Sequence, residues 1–287
     1  FNMNTDLTHD RPPLLFEGTY DDNGTPFPFA VMVLHNRSLS NIDDPSDGPR
    51  VRQKRLEQSL SIAQKVQDFQ TTNPTTPLVV LGDFNAYEFT DSYVDVTGTI
   101  AGDFDPADNV LSGPDLVNPN LTIQTFLLPA DERYSFIFGG TAQALDHALT
   151  TTAGDEYTRG LEYGRGNVDA SQSFFTDDST ALASSDHDGF VLYLMTDQDG
   201  DTVADDVDNC PADMNAGQED TDGDTVGNVC DNCPMVSNAD QADEDMDGTG
   251  DDSDLARRAN ELYWGSDDGV NQIAERLDLS KGALYGR

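Results

Sequence analysis

The chain has 287 residues, with 54 acids against 15 bases and a formal charge of −39. Its longest apolar runs, residues 29–34 and 77–81, are far too short to span a bilayer. The charge is uneven: residues 197–253 carry 19 acids and neither Lys nor Arg, so that segment cannot fold by apolar burial against its own repulsion and needs cations.

In chain order, residues 29–34 are a short, fully apolar strand candidate. Residues 52–69 have helical spacing, with Leu56, Leu60, Ala63, Val66 and Phe69 three or four apart. Residues 78–81 are a second buried strand and residues 190–194 a third. Strand, helix and strand in alternation predict α/β layers with the sheet in the middle. Three segments are expected: a globular one over 1–196, an acidic repeat segment over 197–254 and a short helical tail over 255–287. The chain opens at Phe1 without a leader-like stretch, as expected of a processed chain or of a fragment.

Four strings carry candidate chemistry. The strand ending at Leu81-Gly82 presents Asp83 and Asn85 two residues apart, hence on one side of an extended chain. A carboxylate that binds metal or orients water, beside an amide that donates to a phosphoryl oxygen, suits phosphodiester cleavage. His35 closes the 29–34 strand. Asp186-His187, just before the 190–194 strand, pairs a hard metal ligand with a group that titrates near neutrality. Asp146, in Leu145-Asp146-His147, is placed to orient an imidazole. His9 and His147 are expected to pack rather than react. Among the basic residues after the His35 loop, Arg52 and Arg55 are candidates for contacts to a polyanion backbone, with a solvated helix start as the alternative.

Taken together, these strings resemble the endonuclease/exonuclease/phosphatase superfamily over roughly residues 10–195. Tyr134-Ser135-Phe136 and Gly139-Gly140 ahead of Leu145-Asp146 look like its bacterial extracellular nuclease branch. The resemblance implies part of a four-layer α/β sandwich. It also implies roles: Asp83 positions or deprotonates the attacking water, and Asn85 binds the scissile phosphate. His187 acts as base or phosphate contact, oriented by Asp146. Asp186 ligates magnesium or manganese, and His35 touches the phosphate or protonates the leaving oxygen. The family also supplies an early asparagine and a metal-binding glutamate, for which Glu17, in ordinary strand sequence, is no match. The expectation is therefore a domain without its N-terminal half that binds metal weakly and cleaves poorly by itself.

Residues 197–254 repeat with a period of 23. Asp197, Asp199 and Asp201 recur as Asp220, Asp222 and Asp224, then as Asp243, Asp245 and Asp247. Asp205, Asn228 and Asp251 follow four residues after each triplet, and Asp208, Asp231 and Asp254 seven after. Alternate carboxylates converging on one hard ion indicate calcium. The three cysteines all lie here, which points to disulfide stapling in an oxidising compartment, with a thiolate zinc site as the competitor. Asp-Asn-Cys-Pro, at 208–211 and again at 231–234, resembles thrombospondin type 3 repeats. That resemblance implies calcium at these carboxylates and an inter-repeat disulfide from Cys210 to Cys230. Cys233 would then pair twenty residues on, where Ser253 stands, so it is expected to be unpaired or bonded to another chain.

Residues 273–285 of the tail resemble a bacterial helix-turn-helix. A cytosolic DNA reader is incoherent with an exported calcium protein, so a plain helical hairpin or a fused coding segment is expected. The combined reading is a secreted or surface-bound, metal-dependent phosphodiesterase, most simply a nuclease acting on DNA or RNA. The alternatives are a phosphatase or phospholipase-type phosphoesterase, or a non-catalytic calcium-dependent adhesion protein.

Overall fold

The computed structural model describes residues 8–22, 25–177, 179–201 and 203–243. The chain divides into two compact units, Phe1–Thr196 and Asp197–Arg287. The helix-turn-helix-like tail and the expected calcium ligands Asp245, Asp247, Asp251 and Asp254 lie outside the described residues.

In the first unit, β1 (Leu14–Asp22) pairs antiparallel with β2 (Thr25–His35), and helix α1 (Gly48–Thr72) crosses to β3 (Leu78–Asp83), parallel to β2. The helix runs longer than the apolar spacing predicts. Its first turn holds Pro49, tolerated there because the missing N–H would have no intrahelical partner. At the other end the Asn73 N–H returns to the Phe69 carbonyl at 2.8 Å. After the short helix α2 (Val96–Ala101) come β4 (Thr122–Ile123), the hairpin β5 (Phe136–Phe138) with β6 (Thr141–Gln143), and β7 (Asp146–Thr150). Last come β8 (Thr158–Tyr163) and β9 (Phe190–Leu194), paired with each other. The main sheet has the order β1-β2-β3-β7-β4.

Alternation along the strands sorts the side chains into two cores. Ala30, Met32, Leu34, Leu78 and Val80 face α1, where Leu56, Ile62, Ala63, Val66 and Phe69 meet them, with Ile100 of α2 in the same cluster. Val79, Leu81 and Ala148 face the opposite way, onto Leu161 and Tyr163 of β8 and Phe190, Leu192 and Leu194 of β9. The five-stranded sheet is therefore the middle layer between helices and a smaller sheet. Each fully buried aliphatic side chain contributes on the order of 2 kcal/mol to holding these layers. No helix among the described residues is long and apolar enough to cross a membrane.

The second unit is held by polar contacts. Its buried residues include Asp201, Asp224, Asp231 and Asn238 beside Ala204, Cys210 and Cys233. The sequence period returns as a hydrogen-bond period. Asp201 Oδ2 accepts from the Asn215 N–H at 2.6 Å, and Asp224 Oδ2 from the Asn238 N–H at 2.8 Å. Gln218 donates to Asp208 and Gln241 to Asp231 in the same register. Cys210 and Cys230 form a disulfide, and Cys233 is a free, buried thiol.

Candidate active site

Strand pairing builds the site. His35 ends β2 and pairs in parallel register with Asp83, and Asp83 pairs antiparallel with Asp146 at the start of β7. Three neighbouring strands thus set His35, Asp83 and Asp146 in a row at one end of the sheet, where open α/β sheets carry ligands. Gly82 makes the row possible: with φ +131°, its position has no room for a Cβ, which would collide with the Leu34 carbonyl of β2. Asp188, buried in the loop before β9, accepts from the Asn167 and Val168 N–H groups at 3.0 Å each. Asn167 also donates to the His187 carbonyl at 2.7 Å, so the loop carrying His187 is tied at both residues.

All five expected catalytic side chains make direct contacts within the group, two of them imidazole–carboxylate pairs. His187 Nδ1 lies 2.6 Å from Asp146 Oδ2, and His35 Nε2 lies 3.3 Å from Asp83 Oδ2. The bond to Asp146 raises the His187 imidazole above its ordinary value, because the neighbouring carboxylate favours the cation. Burial raises the Asp83 carboxyl, and the charge of Asp146 pushes it further up. Ser135, fully buried, donates to Asp146 Oδ2 at 2.6 Å and accepts the Asp146 N–H at 3.1 Å, fixing that carboxylate from behind.

Asn85 departs from its expected role. Its side-chain amide donates to Asp83 Oδ2 at 2.8 Å and to the Asn36 carbonyl at 3.1 Å, while its backbone N–H donates to Asp83 Oδ1 at 2.7 Å. Both amide hydrogens are committed, so Asn85 holds Asp83 rather than presenting a donor to phosphate. Asp186 lines the cavity but stands outside the triple Asp83, Asp146 and His187, whose ligand atoms lie within 4.8 Å of one another.

Arg55, expected to touch substrate, is buried, and Arg52 is half-buried and engaged within the fold. Arg55 is 1% exposed and donates to the Arg37 and Asn85 carbonyls at 2.7 Å each and to Asp91 at 3.0 Å. Arg52 donates to the Ile42 carbonyl at 2.9 Å, and its guanidinium lies 3.5 Å over the Tyr93 ring. Helical phase turned both away from the site. Arg11 and Arg37 line the cavity instead, with Ser38 and Ser185, and its volume is about 720 Å³. Arg37 stands two residues after the strand-closing His35, which is the signal that could have found it. Ser135 lay within a noted motif without an assigned task. His147 is core: it is fully buried, bonded to Thr125 and to the Ala86 carbonyl, and pushed by burial down to about 4. His9 is buried against Ser61.

The donors suit a hard divalent ion. Asp83, Asp146 and Asp186 face one polar cavity, and the carboxylates of Asp83 and Asp146, with His187, bring ligand atoms within 4.8 Å of one another. In the second unit, Asp197, Asp199 and Asp201 form one cluster and Asp220, Asp222 and Asp224 another. Asp199, Asp208, Asp222 and Asp231 each bury a carboxylate oxygen with no hydrogen-bond partner. Burial and neighbouring carboxylates raise Asp199 and Asp222. Orphaned acceptors in that number fit bound calcium.

Residues 195–218 and 215–241 match the thrombospondin type 3 repeat family. No curated protein sequence matches the chain. Among solved structures, the chain is similar to a humanised D. rerio TDP2, at 14% identity and a TM-score of 0.39, over 66% of this chain and 63% of that one. It is similar to a 3′-5′ exonuclease (NExo) from Neisseria meningitidis, at 14% identity and a TM-score of 0.38, over 64% of this chain and 72% of that one. It is also similar to a mannosyl-6-phosphatase from Bacteroides thetaiotaomicron, at 14% identity and a TM-score of 0.37, over 66% and 59% of the two chains. The chain thus spans less than two thirds of the length of the first and third of these structures.

Proposed function

We propose that this chain is the catalytic portion of an exported, metal-dependent phosphodiester hydrolase acting on nucleic acid, followed by calcium-binding repeats. The row of His35, Asp83 and Asp146, with His187 bonded to Asp146, is the observation that carries this reading. Asp186 and its neighbouring carboxylates would hold magnesium or manganese, which would supply charge neutralisation at the phosphoryl oxygens. Asp83, with its raised carboxyl and its orientation fixed by Asn85, takes a proton from the attacking water. The water oxygen bonds to phosphorus while the bond to the leaving oxygen breaks. His187, oriented and favoured as a cation by Asp146, donates to a phosphoryl oxygen. The leaving oxygen takes a proton from solvent water, giving an alcohol and a phosphomonoester, while Arg11, which donates to His35 Nε2, ties that imidazole beside the phosphate. Arg11 and Arg37 meet the charge of the flanking backbone.

The cavity wall favours a nucleic acid over a lipid. Its lining side chains are charged, imidazole, hydroxyl or amide groups suited to a phosphodiester backbone, while the apolar cavity beyond Asp146 lies between the sheets, lined by Val79, Leu81, Phe190 and Leu192. Disulfide-stapled calcium repeats support export. The test compares plasmid nicking with headgroup release from phosphatidylcholine vesicles, using wild type and Asp186→Ala. Magnesium-dependent nicking that Asp186→Ala weakens at least tenfold supports the reading, whereas preferential lipid hydrolysis overturns it.

A further inference from the structure

We propose that the β5–β6 hairpin is a stacking track for unpaired nucleobases next to the scissile phosphate. The hairpin begins at the catalytic row: Phe136 bridges to the His187 backbone, and its ring centroid lies 4.7 Å from the imidazole. Phe138 continues on the same face, 6.4 Å from Phe136, with the ring planes only 15° apart. Phe138 is 69% exposed. His187, Phe136 and Phe138 therefore form a row of rings leading from the reacting centre to solvent. The hairpin turns at Gly139-Gly140, both at positive φ and with open space around them.

Composition and charge select the occupant. Residues 136–143 contain no charged side chain in a chain of formal charge −39, so an anionic strand meets no local repulsion there. Every base has a π-face, and an aromatic row adjoining a phosphate site is how proteins hold single strands without reading sequence. Duplex bases are stacked on one another and cannot offer those faces. A bilayer is the weaker occupant. The most exposed apolar side chains of the hairpin, Ile137 and Phe138, alternate onto opposite faces and so present no single apolar face to lipid.

The inference rests on the phosphodiesterase reading for its geometry, but it is read out by binding, which needs no catalysis. Anisotropy of a short labelled DNA single strand is measured with the full chain in calcium, magnesium withheld. Wild type is compared with Phe138→Ala and with Phe138→Trp, both at an exposed position. The expected result is roughly tenfold weaker single-strand binding in Phe138→Ala, recovery in Phe138→Trp, and less than about a twofold change for a blunt duplex. Equal single-strand affinity in all three proteins overturns the proposal, as does no binding by wild type. A loss in Phe138→Ala confined to co-sedimentation with phosphatidylcholine vesicles overturns it in favour of a membrane contact. Strands bound through the track but never cut when magnesium is added would leave the track standing and remove the nuclease reading.

Discussion

At the scale of single residues, the same side-chain type does opposite work according to strand or helix phase. His187 and His147 both neighbour Asp146. One bonds its carboxylate in a half-open cavity, and the other packs against Phe84 with ring centroids 5.3 Å apart. His187 reaches Asp146 from the loop before β9, whereas alternation along β7 turns His147 away from Asp146 into the core, so its packing role is legible in the sequence. Arg55 was not legible, because a guanidinium in a basic run looks solvated. Its true neighbours, Arg37, Asn85 and Asp91, come from 18, 30 and 36 residues away. Arg55→Ala leaves Asp91 nearly buried without its cation, and breaking such a pair costs about 3–5 kcal/mol. Urea denaturation of the variant is expected to show that loss. A variant as stable as wild type but defective in substrate binding would restore the role first expected of Arg55.

At the scale of elements, the long regular pieces were readable and the short ones were not. β2, β3, β9 and α1 announce themselves through apolar runs or three-and-four spacing. The strands β4, β5 and β6 have two or three residues each, too few to establish a period. α2 is specified by its cap instead: Asp95 accepts the Gly98 N–H at 2.7 Å. Burial raises the Asp95 carboxyl to about 6 from an ordinary 3.8. Above pH 6 the carboxylate is charged in both folded and unfolded chains, and the fold carries the cost of burying it. Below 3.8 it is neutral in both, and the cost vanishes. Buried His147 has the opposite sign: it stays neutral in the fold down to about 4 while the unfolded chain protonates near 6.5, so its contribution is lost as pH falls through that window. Asp95→Asn keeps a capping oxygen without the charge. It is expected to stabilise the protein by about 1–2 kcal/mol at pH 7, allowing for partial exposure of the site. That advantage should shrink between pH 6 and pH 4, while acid destabilisation from His147 becomes steeper than in wild type. Thermal denaturation across this range measures both slopes, and a pH-independent difference would rule out Asp95 as the titrating group.

At the scale of the whole molecule, two units follow different physics. The first buries apolar side chains on both faces of a sheet. The second buries carboxylates, and four orphaned oxygens in two successive repeats are acceptors that a bound cation would satisfy. Excess chelator is expected to raise amide hydrogen exchange across residues 197–243 towards unfolded rates while leaving the core strands of the first unit protected. Unchanged protection in the repeats would mean that polar contacts and the Cys210–Cys230 bridge suffice. The 23-residue period made this unit legible in sequence, since each ligand recurs where its predecessor stood. The central claim concerns the first unit, that Asp83, Asp146 and His187 together hydrolyse a phosphodiester. Its most direct test is the initial rate on bis(p-nitrophenyl) phosphate with magnesium, compared between wild type and His187→Ala. The account predicts a slow, magnesium-dependent rate that falls by about a hundredfold or more without the imidazole. A wild-type rate at background, or one that His187→Ala leaves intact, would contradict it.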